Sequence, residues 1–292
     1  MNKCDHLLLD GKNIIYRAVY AGLADKKKPA HPVLIALRFI RVEIIRHKPR
    51  FVHLFWDCPR NEVWRRDIDS HYKDRGETDP IVDFRTHNTI LHWVYLAQYL
   101  GFSQYYVPRM EADDLIYAFC KLLASDKSVI LSSDGDFKQI PYFSRNVDLY
   151  NPNKHAIEGV SEVNPILFKC FAGDSSDRIR GYEGIGPVNA RVLASEFAAR
   201  TKFFSSSKPK VKRSGEIVPA DDEEYWKNMR LVDLSLCPNV YKNMKYVERK
   251  FRGHKDRLRT KEIIRYIRKN KIHGFEHEFN KYRSDFQLGD KP

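Results

Sequence analysis

The sequence predicts an α/β fold: a central, mostly parallel twisted sheet with flanking helices, followed by a helical C-terminal part. Three observations carry this. Apolar strand-like runs alternate with helical patterns through the first half of the 292-residue chain. Three of those runs end in aspartate: Leu7, Leu8 and Leu9 before Asp10, residues 52–56 before Asp57, and residues 129–133 before Asp134 and Asp136. From Val163 onward the pattern is helical, with turns rich in glycine. Parallel strands of an open sheet line up their carboxyl ends along one edge, so acids distant in sequence can meet there.

The elements follow in order. Residues 33–45 have helical apolar spacing (Val33, Leu34, Leu37, Ile40, Ile44), ended by Lys48 and Pro49 before the strand that leads to Asp57. A second helix is expected over residues 89–100, stopping at Gly101, and a third from Glu111, carrying Leu115, Ile116, Phe119, Leu122 and Leu123. Between them, residues 58–90 are dense in charge and poor in apolar periodicity, which predicts an arch-like functional excursion rather than core. Trp93, Tyr95 and Tyr99 are assigned to packing, and Tyr72, beside Lys73, to base stacking. Residues 205–222 mix Ser, Lys, Pro and Gly and predict an exposed loop. Residues 242–271 form a basic tail, thirteen Lys or Arg in thirty positions, suited to a polyanion. The division expected is a core over residues 1–160 and a second domain over 161–292.

Composition narrows the class. A formal net charge of +13 favours a polyanionic partner, nucleic acid before an acidic membrane surface. There is neither a membrane-length apolar run nor a signal-type N-terminus, so a cytoplasmic protein is expected, in the host cytoplasm if viral. The five scattered cysteines form no CxxC pair and predict buried, inert thiols.

The acids carry the chemistry. Acidic residues opening a helix, as in Glu111, Asp113 and Asp114, can merely complement its dipole, and Asp134 and Asp136 can cap the next turn. Their conjunction argues otherwise, since two carboxylates ~5 Å apart repel by about 3 kcal/mol at an effective dielectric near 20. Such a cluster raises its own pKa values or takes up cations, and carboxylates are hard ligands suited to divalent ions. Asp174 and Asp177 add a further pair, followed by Gly184-Ile185-Gly186-Pro187, a tight turn opening a helix. Its free N–H groups suit a phosphate, the helix-hairpin-helix pattern of sequence-independent duplex binding. The HxxEH string from His273 to His277 is set aside as a zinc motif, because Gly274 weakens the helix it needs.

With these residues in place, the chain resembles the 5′-nuclease, or flap endonuclease, family, most closely its stand-alone bacteriophage members. The ordered agreement comprises Asp-Gly-x-Asn at Asp10, Phe-x-Asp ending at Asp57, Tyr72-Lys73 with Arg75, Glu111-Ala112-Asp113-Asp114, Ser-x-Asp-x-Asp-Phe at Ser132, and Gly-Asp-x-x-Asp before the hairpin. The resemblance implies a PIN-like core with a helix-hairpin-helix (H3TH) domain. It implies that Asp10, Asp57, Glu111 and Asp113 hold one divalent ion, Mg2+ or Mn2+, and that Asp134, Asp136, Asp174 and Asp177 hold or support a second, with Asp114 assisting. Lys73 and Arg75 would contact the scissile phosphate, and Arg17 and Arg65 further phosphates. Gly184, Ile185 and Gly186 would grip the duplex at a turn that sometimes binds K+. Pro80 and the acids beyond Arg75 depart from a fully helical arch.

The function expected is two-ion hydrolysis of DNA near 5′ ends, flaps and junctions, combining 5′→3′ exonuclease and flap endonuclease action in replication or primer removal. The expected protein is a monomer, with RNA primers among its substrates and a polymerase or single-strand-binding protein acting in trans. A PIN-like ribonuclease and a non-catalytic DNA-binding protein with a structural metal are the alternatives.

Overall fold

A computed structural model describes residues 3–24, 30–74, 76, 79–200, 209–211, 217–219, 223–252 and 258–288. The first half runs β1 (His6–Asp10), α1 (Gly11–Ala24), α2 (Pro32–His47), β2 (Phe51–Phe55), α3 (Pro80–Leu100), β3 (Ser103–Tyr105), α4 (Ala112–Leu122), β4 (Ser128–Leu131), α5 (Gln139–Phe143), β5 (Val147–Asn151) and β6 (Ala156–Ile157). The second half runs α6 (Pro165–Ala172), β7 (Gly173–Asp174), β8 (Ile179–Arg180), α7 (Pro187–Arg200), β9 (Pro209–Val211), β10 (Ile217–Pro219), α8 (Glu223–Val232), α9 (Val240–Arg252), α10 (Thr260–Lys269) and α11 (Phe275–Tyr282).

The sheet has the order β3-β2-β1-β4-β5-β6, parallel except for β6 at one edge. The chain moves outward from β1 to β3 and then returns to place β4 on the other side of β1. Crossovers therefore leave β1 and β4 in opposite directions, which opens a crevice beyond their carboxyl ends. Both faces of the sheet are covered. Leu7 and Leu9 pack with α2 and α3, whereas Leu8 packs with α4, so the β1 run is apolar at every position instead of alternating.

Four features differ from the sequence reading. Helix α3 starts at Pro80, earlier than residue 89, because Asp79 accepts a hydrogen bond from the Ile81 amide (2.8 Å) and Pro80 fits the first helical position. Among the described residues, the excursion before it holds two short 3-10 turns, Arg60–Glu62 and Trp64–Asp67. Of the three aromatics assigned to packing, Trp93 is fully buried but Tyr95 is exposed, its ring tilted against Tyr266 at 5.5 Å. Within residues 205–222, β9 and β10 pair antiparallel, and the rest of that segment lies outside the described residues.

The basic C-terminal stretch is not a tail. Its helices are amphipathic, and their apolar stripes complete the core of the first half: Val247 joins the α4 side, while Ile263, Ile267, Phe275 and Phe279 join the α2 and α3 side. Sequence reading saw the charge and missed the stripe, because basic residues outnumber the buried ones in α9 and α10. A separate cluster joins α6, α7 and α8. All five cysteines are free and buried. Among the described residues, no helix is long and apolar enough to cross a membrane.

Candidate active site

Four strand-derived or helix-capping acids meet at the crevice. Asp10 ends β1 and caps α1, accepting the Asn13 amide (3.0 Å). Asp57 follows β2 and accepts the amide of Ala112, the first residue of α4 (2.8 Å). Glu111 stands at the N-cap of α4. Asp134 caps the turn after β4 and accepts the Asp136 amide (3.0 Å). The cap considered from sequence at Asp134 is thus present, whereas Asp136 lies within the turn that Asp134 opens. These four acids and Lys73 line a single cavity of about 400 Å³, together with Lys12, Tyr16 and Arg60. Glycine at residue 11 lets the start of α1 lie close against the end of β2. A Cβ there would lie 2.6 Å from the Trp56 ring and 2.9 Å from the Phe55 carbonyl oxygen.

Beneath the cavity lies a buried ionic floor. Arg65 donates to both oxygens of Asp114 (2.9 and 3.1 Å), to Glu111 (2.8 Å) and to the Leu231 carbonyl (2.8 Å). Trp64 Nε1 donates to Asp114 as well (2.9 Å), and so does the Glu111 amide (3.1 Å). Three expectations are corrected here. Arg65 is 1% exposed and Tyr72 is 2% exposed, so in this structure the first reaches no external phosphate and the second offers no face for stacking. Asp114, fully buried with both oxygens engaged, orients Glu111 through Arg65 instead of facing the cavity. The reading failed because a charged, polar stretch predicts exposure, whereas the acids at the start of α4 draw Arg65 inward.

A second acid group forms from Asp136, Asp174 and Asp177, whose carboxylate oxygens lie within 4.8 Å of one another; Glu111, Asp113 and Asp114 meet the same limit. Asp174 ends β7 and the loop holding Asp177 joins it to β8, where Gly173 (φ +73°) crosses Gly181 so closely that a Cβ on either would lie 2.4 Å from the other's backbone neighbourhood. Tyr72 and Lys73 link the two groups. The Tyr72 hydroxyl is 3.1 Å from Glu111 and 3.2 Å from Asp177. The Lys73 ammonium is 2.6 Å from Glu111 and 3.6 Å from Asp177.

The acids differ in whether burial or a nearby cation prevails. Burial opposes ionisation of Glu111, but Lys73 and Arg65 prevail and hold its pKa at about 2. Asp174 is held at about 2 in the same way by Lys169. Burial, reinforced by Asp57, pushes Asp10 up to about 7. Burial also raises Asp113, with Glu111 adding to it, and Asp134, with Asp136 adding to it. Carboxylates this crowded have the donor set of a divalent cation site.

Other expected residues are placed as follows. Arg17 is half-buried on α1, bonded to Asn153 and stacked over Phe39 at 5.7 Å. Gly184 and Gly186 are exposed in the turn before α7, with Gly184 at φ +78°, and Ile185 is partly buried against the α6 and α7 cluster. Arg75 lies outside the described residues. In the HxxEH string, Glu276 is engaged by Arg268 (2.8 Å) and His273 precedes the helix. Sequence reading missed Lys169, which bonds both Asp136 and Asp174. Its signal was available, since one helical turn carries it to the end of α6, beside Gly173 and Asp174.

Known proteins resemble this chain in sequence and in fold. The chain is 28% identical over 217 residues to the flap endonuclease Xni of Shewanella frigidimarina, covering 70% of this chain and 81% of that protein. It is 27% identical over 245 residues to a 5′-3′ exonuclease of Halalkalibacterium halodurans, covering 74% and 79%. Its fold is shared with the bacteriophage T5 flap endonuclease, solved as a pseudo-enzyme-product complex with DNA and metal ions. That match has a TM-score of 0.65 at 17% identity, over 87% of this chain and 100% of the other. The 5′-3′ exonuclease N-terminal resolvase-like domain matches residues 5–165, the stretch that carries the whole sheet and its row of acids, and the chain belongs to that family.

Proposed function

We propose that this protein is a divalent-metal-dependent 5′-nuclease that hydrolyses DNA phosphodiester bonds near 5′ ends and at flap junctions. The observation that carries the reading is the convergence of Asp10, Asp57, Glu111 and Asp134, from four separate elements, with Lys73 on one open cavity. Crowding of this kind costs stability, so function is the better account of it.

Asp10, Asp57, Glu111 and Asp113 are the residues to hold a first ion, and Asp134, Asp136, Asp174 and Asp177 a second. Mg2+ or Mn2+ there supplies Lewis acidity and a lowered pKa for water. The protein's own groups do the rest. Lys73, 19% exposed, places a positive charge where the scissile phosphate gains negative charge. Tyr72 fixes Glu111 relative to Asp177. Lys73 and Arg65 keep Glu111 ionised, and Asp114 holds Arg65 in place beside it. The exposed turn at Gly184, Ile185 and Gly186 grips the duplex backbone through N–H groups, with K+ as the ion it takes. RNA primers are accepted as 5′ strands, the protein acts as a cytoplasmic monomer, and a polymerase works in trans.

The test is product mapping on a 5′-flap duplex labelled at each end, with Mg2+, with Mn2+ and with EDTA, beside an RNA-flap version. The expected result is a junction cut and short 5′ products that need the metal. Asp134→Asn should abolish both while retaining flap binding. Wild-type protein that binds flaps but leaves them whole with either ion would reduce it to a DNA-binding protein.

A further inference from the structure

Asp174 has one oxygen free of its own loop, and Lys169 holds it. Its Oδ1 already accepts from the Ser176 amide (2.8 Å), the Ser176 hydroxyl (2.6 Å) and the Asp177 amide (3.3 Å). Three donors exceed the two lone pairs of a carboxylate oxygen. Its Oδ2 faces the Lys169 ammonium at 2.6 Å, and the same ammonium is bonded to Oδ1 of Asp136. Lys169 projects from α6, where the adjacent Cys170 and Phe171 are fully buried, so its root is fixed. A magnesium ion takes carboxylate oxygens at ~2.0–2.1 Å. To bind Asp174 it must therefore take the oxygen that Lys169 occupies.

We infer that Lys169 is a tethered counter-cation of the second acid group, holding Asp136 and Asp174 together in the metal-free protein and giving way when a divalent ion enters. It is a positioning residue, since it touches the acids and not the reacting atoms. The inference rests on the proposed reading of Asp136, Asp174 and Asp177 as residues that hold an ion. Loading of that group is an exchange of one cation for another, and so weaker than the bare acids would allow. Removing the ammonium has two effects of opposite sign: the ion binds more tightly, and the metal-free protein is less stable.

Calorimetric titration of Mn2+ into DNA-free wild type, K169M and K169R tests this, with melting curves taken in EDTA and in Mn2+. Wild type should show two binding events. In K169M the weaker event should tighten by about tenfold or more, the protein should melt at lower temperature in EDTA, and its gain on adding Mn2+ should exceed that of wild type. K169R keeps the charge and should behave like wild type. Should K169M not fold, Lys169→Gln carries the same measurement. Two events in wild type with an unchanged or weakened second event in K169M overturns this inference and leaves the nuclease reading standing. If Asp174→Asn titrates like wild type, the second group takes no ion, and the inference falls together with the two-ion reading.

Discussion

The Arg65 guanidinium and the Asp114 carboxylate meet at 2.9 and 3.1 Å, both shut off from solvent beneath the acid cavity. A buried pair of this kind contributes little net stability against an apolar substitute, but removing one partner strands the other charge. Arg65→Ala should therefore cost about 3–5 kcal/mol in urea unfolding. A surface phosphate contact at Arg65 would instead leave the unfolding midpoint unchanged and raise only the Kd for DNA.

Lys73 bonds Glu111 yet remains partly open to the cavity, so its loss should act on turnover more than on binding. Lys73→Ala should lower kcat by ~10²–10³, with flap affinity measured in EDTA within a few-fold of wild type. Tyr72→Phe removes only the hydroxyl shared by Glu111 and Asp177. It should cost ~1–2 kcal/mol of stability and reduce kcat less than Lys73→Ala does. Equal kcat losses would mean that Lys73, too, acts only by arranging the acids.

Gly11→Ala places a methyl group against the Trp56 ring and the Phe55 carbonyl oxygen. Overpacking of this sort costs ~1–3 kcal/mol, and relief requires moving the start of α1, which carries Asp10 with it. Reduced kcat accompanied by a lowered Tm is expected, and wild-type values for both would show that the ring simply shifts aside.

His6 is buried in the sheet between His53 (3.0 Å) and Asp126 (3.2 Å). Burial lowers its pKa below the ordinary value despite the help of Asp126. The unfolded chain then binds the proton first as pH falls past about 6.5, so the stability tied to neutral His6 is complete above that pH and is lost below it. Wild type should lose up to about 1.4 kcal/mol more per pH unit than His6→Gln between pH 6.5 and the lowered value. Parallel stability profiles of the two proteins would exclude His6 as the source.

Asp10, Asp57 and Asp134 were legible because each follows an apolar run that reads as a buried strand. Apolar run, aspartate, then helix start is a local pattern, and parallel topology turns it into a shared edge. Residues whose role depends on which way a long side chain turns were not legible in the same way. Tyr95 looked like core and is exposed, and the stripe within α10 was hidden by its charge.

By itself, then, the sequence determined the sheet, the order of its carboxylates and the glycine turn before α7. Tertiary structure alone decided which cation answers which acid: Arg65 reaches Asp114 and Leu231, Lys73 reaches Glu111 and Asp177, and Lys169 reaches Asp136. The physical reason is range. A strand end or a cap is fixed by neighbours a few residues away, whereas an ion pair depends on packing that brings together segments far apart in the chain, and a flexible basic side chain carries no local mark of its direction.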